Sequence, residues 1–194
     1  MEAKSDKRLR IGGWLLSFPI LLCLTAGAAR SEGLYTRTDE LLCGDTRVQA
    51  FTTCTDDPDV HIPICTEQHF LFINEQAGTS VKVRASGRRT IAEPIKPRGT
   101  MMILDGLAWE WACVKGKAGL YVIIDYGTEG NCETCEWAEV FDLKGRKVLT
   151  DKSDKASRTA RERERFSKKY DSLGLPNPWP FDAFTPIKLL KKDK

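Results

Sequence analysis

Histidine is scarce in this chain, with two in 194 residues, and the scarcity removes most routes to nucleophilic catalysis. A Ser or Cys nucleophile needs a base in reach, and His61 and His69 are the only imidazoles that could supply one. A G-x-S-x-G elbow, an H-E-x-x-H pair, a phosphate-cradling Gly loop and a dinucleotide fingerprint are all missing. There is one C-x-x-C and no second, which argues against the paired-knuckle type of zinc site. Acids are plentiful enough that some carboxylate pair is unavoidable, so their number says nothing about glycoside cleavage. No catalytic or cofactor-binding residue is assigned, and the chain reads as a non-enzyme without a cofactor.

What is present begins with the leader. Lys4, Lys7, Arg8 and Arg10 form a basic start, the apolar run IGGWLLSFPILLCLTAG follows, and Ala26-Gly27-Ala28 offers a small-residue cleavage site. This layout predicts a secretory signal peptide over residues 1–29, which would be the protein's only membrane contact. An uncleaved anchor is the rival reading, weakened by Gly12, Gly13 and Pro19 within the run. Loss of the leader removes Cys23 and turns seven cysteines into six: Cys43, Cys54, Cys65, Cys113, Cys132 and Cys135. An even count in an exported chain predicts up to three disulfides.

Charge divides along the chain. Residues 30–150 carry 14 Lys and Arg against 18 Asp and Glu, a balance of −4, and residues 151–194 carry 12 against 7, a balance of +5. The body is acidic and the tail basic, but acids alternate with the arginines of Arg161–Arg165, as on a solvated helix face. Nucleic acid is therefore not expected as a partner.

From residue 45 to 150 the dominant period is two, with β-branched and aromatic residues between turn signals. Strands are expected at 46–53, 68–74, 80–85, 101–104, 108–114, 120–126, 136–143 and 147–150. Seven or eight short strands with no interrupting helix predict an antiparallel β-sandwich or small barrel-like meander. Alternation places Trp109, Trp111 and Cys113 on one face of their strand. Tyr121–Ile124 is apolar on both faces and reads as a central strand, and Gly145 closes a tight hairpin. Residues 30–150 thus form a disulfide-bonded β domain.

A charged helix is expected over 151–174, capped by Ser153 or Asp154 and stopped by Gly174. Phe166, Tyr170 and Leu173 share one stripe that docks its last turns on the sheet. Residues 175–194 form a Pro-rich arm whose Trp179, Phe181 and Phe184 are expected to lie along their own domain.

Three constellations carry possible chemistry. Cys132 and Cys135, in GNCETCEW, have redox spacing, but the following residues alternate as a strand and Glu133, Glu136 and Glu139 disfavour a thiolate. Cys54, His61, Cys65 and His69 are weak zinc candidates, opposed by disulfide pairing of the two cysteines. A Cys54–Cys65 bond would close the stretch TDDPDVHIPI and remove roughly 3 kcal/mol of unfolded-state freedom. That would make Asp56, Asp57 and Asp59 part of a pinned, acidic, Pro-stiffened partner-binding loop. Cys113 is the expected partner of one C-x-x-C cysteine, with the other reaching Cys43 or the Cys54/Cys65 pair, unless Cys132 and Cys135 join each other.

Together these features predict an exported binding protein, periplasmic or secreted. The closest functional type is a small inhibitor or immunity protein that binds another extracytoplasmic protein. Two alternatives stand beside it: a thiol-disulfide protein using Cys132 and Cys135, and a structural component of the cell envelope.

Overall fold

The computed structural model describes residues 33–57, 60–91, 102–128, 132, 134–153, 157–176 and 181–187, and the expected leader lies outside them. The chain first builds a four-stranded meander from β1 (Leu34–Cys43), β2 (Thr46–Asp57), β3 (Val60–Asn74) and β4 (Thr79–Arg84), in spatial order. A two-stranded ribbon, β5 (Arg88–Ile91) with β6 (Met102–Asp105), follows. The second sheet comprises β7 (Leu107–Gly116), β8 (Gly119–Gly127), β9 (Glu136–Asp142), β10 (Lys147–Thr150) and β11 (Thr185–Pro186), in the order β10-β9-β8-β7-β11. Every pairing is antiparallel. The architecture is a sandwich and not a closed barrel.

Period-two patterning explains the packing. Val48, Ala50, Phe70 and Phe72 of the first sheet face Trp111, Val122, Ile124, Tyr126, Trp137 and Phe141 of the second. Phe70 lies 6.2 Å from Trp111 and Phe72 5.7 Å from Phe141, ring centre to ring centre. The Cys43–Cys113 bond joins the two sheets covalently. Central β8 is apolar on both faces because both are covered: its other side, with Tyr121 and Ile123, packs beneath the helix.

That helix, α1 (Ala160–Leu173), starts later than the sequence reading had it. Its cap is Thr159, whose hydroxyl accepts from the Glu162 N–H while the Glu162 carboxylate accepts from the Thr159 N–H. Ser153 precedes the helix and Asp154 lies outside the described residues. The stop at Gly174 is as expected, with left-handed φ 64°. Tyr170, Phe166 and Leu173 dock on the second sheet, and the Tyr170 hydroxyl donates to the Pro176 carbonyl at 2.6 Å.

The arm also docks, in its described part. Thr185 and Pro186 pair with Trp111 and Glu110 at the edge of β7, and Ile187 enters the core. Pro186 can occupy that strand because β11 is an edge. Phe184 packs on the helix-side cluster; Trp179 and the Phe181 side chain lie outside the described residues. Gly145, at φ 72°, closes the β9–β10 hairpin, where the Asp142 carboxylate accepts from the N–H groups of Lys144 and Arg146.

The facing of Trp109 departs from its sequence reading. Trp111 is buried and Trp109 is 37% exposed, so the two indoles do not share a face. A bulge between Ala108 and Glu110 shifts the β7–β8 register and reverses the phase at Trp109. Its ring lies over Gly127, where an added Cβ would fall 2.1 Å from the indole.

Candidate functional site

The stretch expected to be a Pro-stiffened loop is a β-hairpin. β2 and β3 stay paired from Thr46–Asn74 out to Asp57–Val60, so only residues 58–59 separate the strands. Pro63 falls where the β2–β3 register shifts between Thr55 and Asp57, and β4 pairs with β3 only from His69 onward, so its missing N–H interrupts no regular ladder. Cys54 faces Cys65 in the register, and the two are bonded with Cα atoms 3.8 Å apart. The hairpin is therefore stapled just short of its tip, as the cysteine spacing suggested. The backbones of Asp56 and Asp57 end β2 beyond the staple. Their side chains, that of His61, and Asp59 as a whole lie outside the described residues.

The four zinc candidates do not assemble as ligands. Both sulfurs of Cys54 and Cys65 are consumed in their bond. His69 instead stacks on Phe51, its cross-strand neighbour, at 5.0 Å and 10°. Burial and Lys82 lower the His69 pKa, while Glu67, 3.6 Å from Nδ1, works against them.

The C-x-x-C closes on itself. Cys132 bonds Cys135, the Cys135 N–H donates to the Cys132 carbonyl at 3.0 Å, and β9 begins at the next residue. The expectation that Cys113 pairs with one of them is overturned, because Cys113 bonds Cys43. The reason is topological. Cys113 sits opposite Val122 near the start of β8, whereas the C-x-x-C follows the end of β8. Five residues of strand separate the two places, on the order of 17 Å.

A further cluster was not visible in sequence spacing. On the face of the second sheet that carries α1, Asp125 is the register partner of Glu110, and Glu136 and Asp151 lie near enough to act on it. Burial, then Glu136, Asp151 and Glu110, push the Asp125 carboxyl up to about 6. Asp151 is also raised, by burial, although its Oδ1 accepts from the Ala138 N–H at 2.6 Å. Arg158 answers this charge: a guanidinium nitrogen lies 3.4 Å from Asp151 Oδ2, and Nε donates to the Asp151 carbonyl. The four acids come from β7, β8, β9 and the segment after β10, so only the fold brings them together. Such a group can take up a proton near pH 6 or meet a cationic side chain.

Beside it, a groove of about 410 Å³ opens between β10, residues 151–153 and α1, with Leu149, Phe166, Lys152, Arg158, Glu162 and Arg165 in its wall. The Lys152 ammonium in that wall donates to the Ser86 carbonyl and lies 5.1 Å over the Trp137 ring. No metal-holding group of His, Cys, Asp and Glu occurs among the described residues, and no described helix is long and apolar enough to cross a membrane. No family model, curated protein or solved structure matches this chain.

Proposed function

We propose that the protein is an exported binding protein, periplasmic or secreted, which engages another extracytoplasmic protein as a small inhibitor or immunity protein does. The observation that supports this most is the Cys54–Cys65 staple, which holds β2 to β3 immediately before a tip carrying Asp56, Asp57 and Asp59. The staple restrains β2 and β3 beside the turn before a partner arrives, so less of their freedom remains to be lost on binding. Three carboxylates at one end complement a basic surface or cationic cleft and accelerate the approach to it. Three intramolecular disulfides fit an oxidising compartment, in agreement with export.

The test is to express the full chain with an affinity tag in its native host and recover it from the extracytoplasmic fraction. The expected result is a processed protein lacking the leader, with one extracytoplasmic protein in stoichiometric amount. Retention inside the cell with free thiols would contradict the reading. So would stable association with the envelope and no soluble partner, which would support a structural envelope role.

A further inference from the structure

Strand β1 is the edge of the first sheet. It pairs with β2 along its whole length, from Leu34–Thr55 to Cys43–Thr46, without a bulge. Among the described residues no strand pairs with its other side. A straight edge of ten residues is a template for another strand. Proteins usually blunt such an edge with lysine, proline, a bulge or an inward-pointing charge. β1 has no Lys, Pro or bulge, but it does place Arg37 and Asp39 on the half-buried, inward face with Tyr35 and Leu41. Its outward face carries Leu34, Thr36, Thr38, Glu40 and Leu42, and the two leucines are 59% and 70% exposed.

These residues are self-complementary about Thr38. Only registers that keep inward residues opposite inward residues preserve the two faces. An antiparallel pair of β1 strands with its two-fold axis at Thr38 sets Arg37 opposite Asp39 twice over. On the same inward face Tyr35 meets Leu41. On the outward face Leu34 meets Leu42 and Thr36 meets Glu40, with Thr38 opposite itself. Moving the axis to Arg37 or to Asp39 puts like charges in direct opposition, which is destabilising.

From this we infer that β1 is a homodimerisation edge, and that a second copy of this chain adds β1 to β1 about Thr38. The pairing makes one continuous eight-stranded sheet from two four-stranded ones. It is an isologous interface, in which each contact occurs twice and the assembly closes at two copies. The inward charges then have a double use, repelling strands of other sequence while matching their own. Because Leu34 of β1 lies opposite Thr55, beside the staple, the two acidic tips extend from opposite ends of the joined sheet.

The test combines sedimentation velocity with cross-linking, on the full chain expressed through an oxidising compartment. The unaltered protein is expected to show twice the monomer mass over a concentration series. Arg37→Asp alone and Asp39→Arg alone should each give the monomer, and the exchange of both should restore the doubled mass. Exposed Thr38→Cys should oxidise to a covalent dimer, while Glu40→Cys, which faces Thr36, should not. The thiol variants keep the proposal testable if a charge variant fails to fold. A monomer at every concentration would overturn the proposal, as would failure of the charge exchange to restore the dimer, or equal cross-linking at Thr38→Cys and Glu40→Cys.

Discussion

Gln68 holds Ala108 from the opposite sheet through both of that residue's backbone groups. Its Oε1 accepts from the Ala108 N–H at 2.8 Å, and its Nε2 donates to the Ala108 carbonyl at 2.9 Å and to Thr52 Oγ1 at 3.1 Å. Ala108 stands at the bulge that turns Trp109 outward. A buried amide thus satisfies backbone groups at the point where the ladder of β7 is disturbed, and it links the two sheets in one register.

The first prediction concerns that grip. Gln68 is 2% exposed, so truncation leaves buried polar groups on both sheets without partners. Gln68→Ala should lower unfolding stability by about 3 kcal/mol in chemical denaturation, from lost hydrogen bonds and the cavity together. Trp109 fluorescence should shift as well, because the bulge loses its support. A loss below about 0.5 kcal/mol would show that the Ala108 groups find other partners.

The disulfides should differ in both worth and reactivity. Cys43–Cys113 spans 70 residues, Cys54–Cys65 spans 11 and Cys132–Cys135 spans 3. Loop entropy alone ranks them at roughly 4, 3 and 2 kcal/mol, and paired replacement by alanine should reproduce that order in thermal melts. Mild dithiol followed by alkylation should label Cys132 and Cys135 first. Cys132 is exposed, whereas Cys43, Cys54 and Cys65 are 0%, 0% and 2% exposed. Peptide mass spectrometry reads the order, and earlier labelling of Cys43 would contradict the burial described.

Asp125 supplies a pH dependence. With its carboxyl raised to about 6, chiefly by burial and then by Glu136, Asp151 and Glu110, the folded protein holds a proton that the unfolded chain has lost. Stability at this site therefore falls as pH rises from about 4 to about 6, and the loss is complete above that. Asp125→Asn removes the effect. The variant should match the parent near pH 4 and exceed it by about 1 kcal/mol at pH 7, a value reduced for the residue's partial exposure. A variant less stable than the parent at pH 7 would assign the carboxylate a favourable partner instead.

Much of this architecture was legible in the chain. Alternation located most of the strands, Gly145 marked a hairpin turn and Gly174 the end of the helix, and the spacing of Cys54 and Cys65 pointed to their bond. Strand β1 was not legible, because Arg37 and Asp39 interrupt its apolar pattern; an edge strand can carry charges that a central strand cannot. The start of α1 was written as Thr159-x-x-Glu162, although Ser153 and Asp154 offered competing caps upstream. Nothing local announced the bulge at Trp109, since it answers to Gln68, 40 positions away from Ala108. The carboxylate group around Asp125 was hidden for the same reason: its members are neighbours only across strands.

The central claim is that the stapled acidic tip binds a protein. The most direct measurement is the affinity of the captured partner for the unaltered protein and for a variant with Asp56, Asp57 and Asp59 all changed to Asn. The account predicts at least about tenfold weaker binding, about 1.4 kcal/mol, expressed largely as a slower and less salt-sensitive association. Equal affinities and equal association rates at low salt would contradict it.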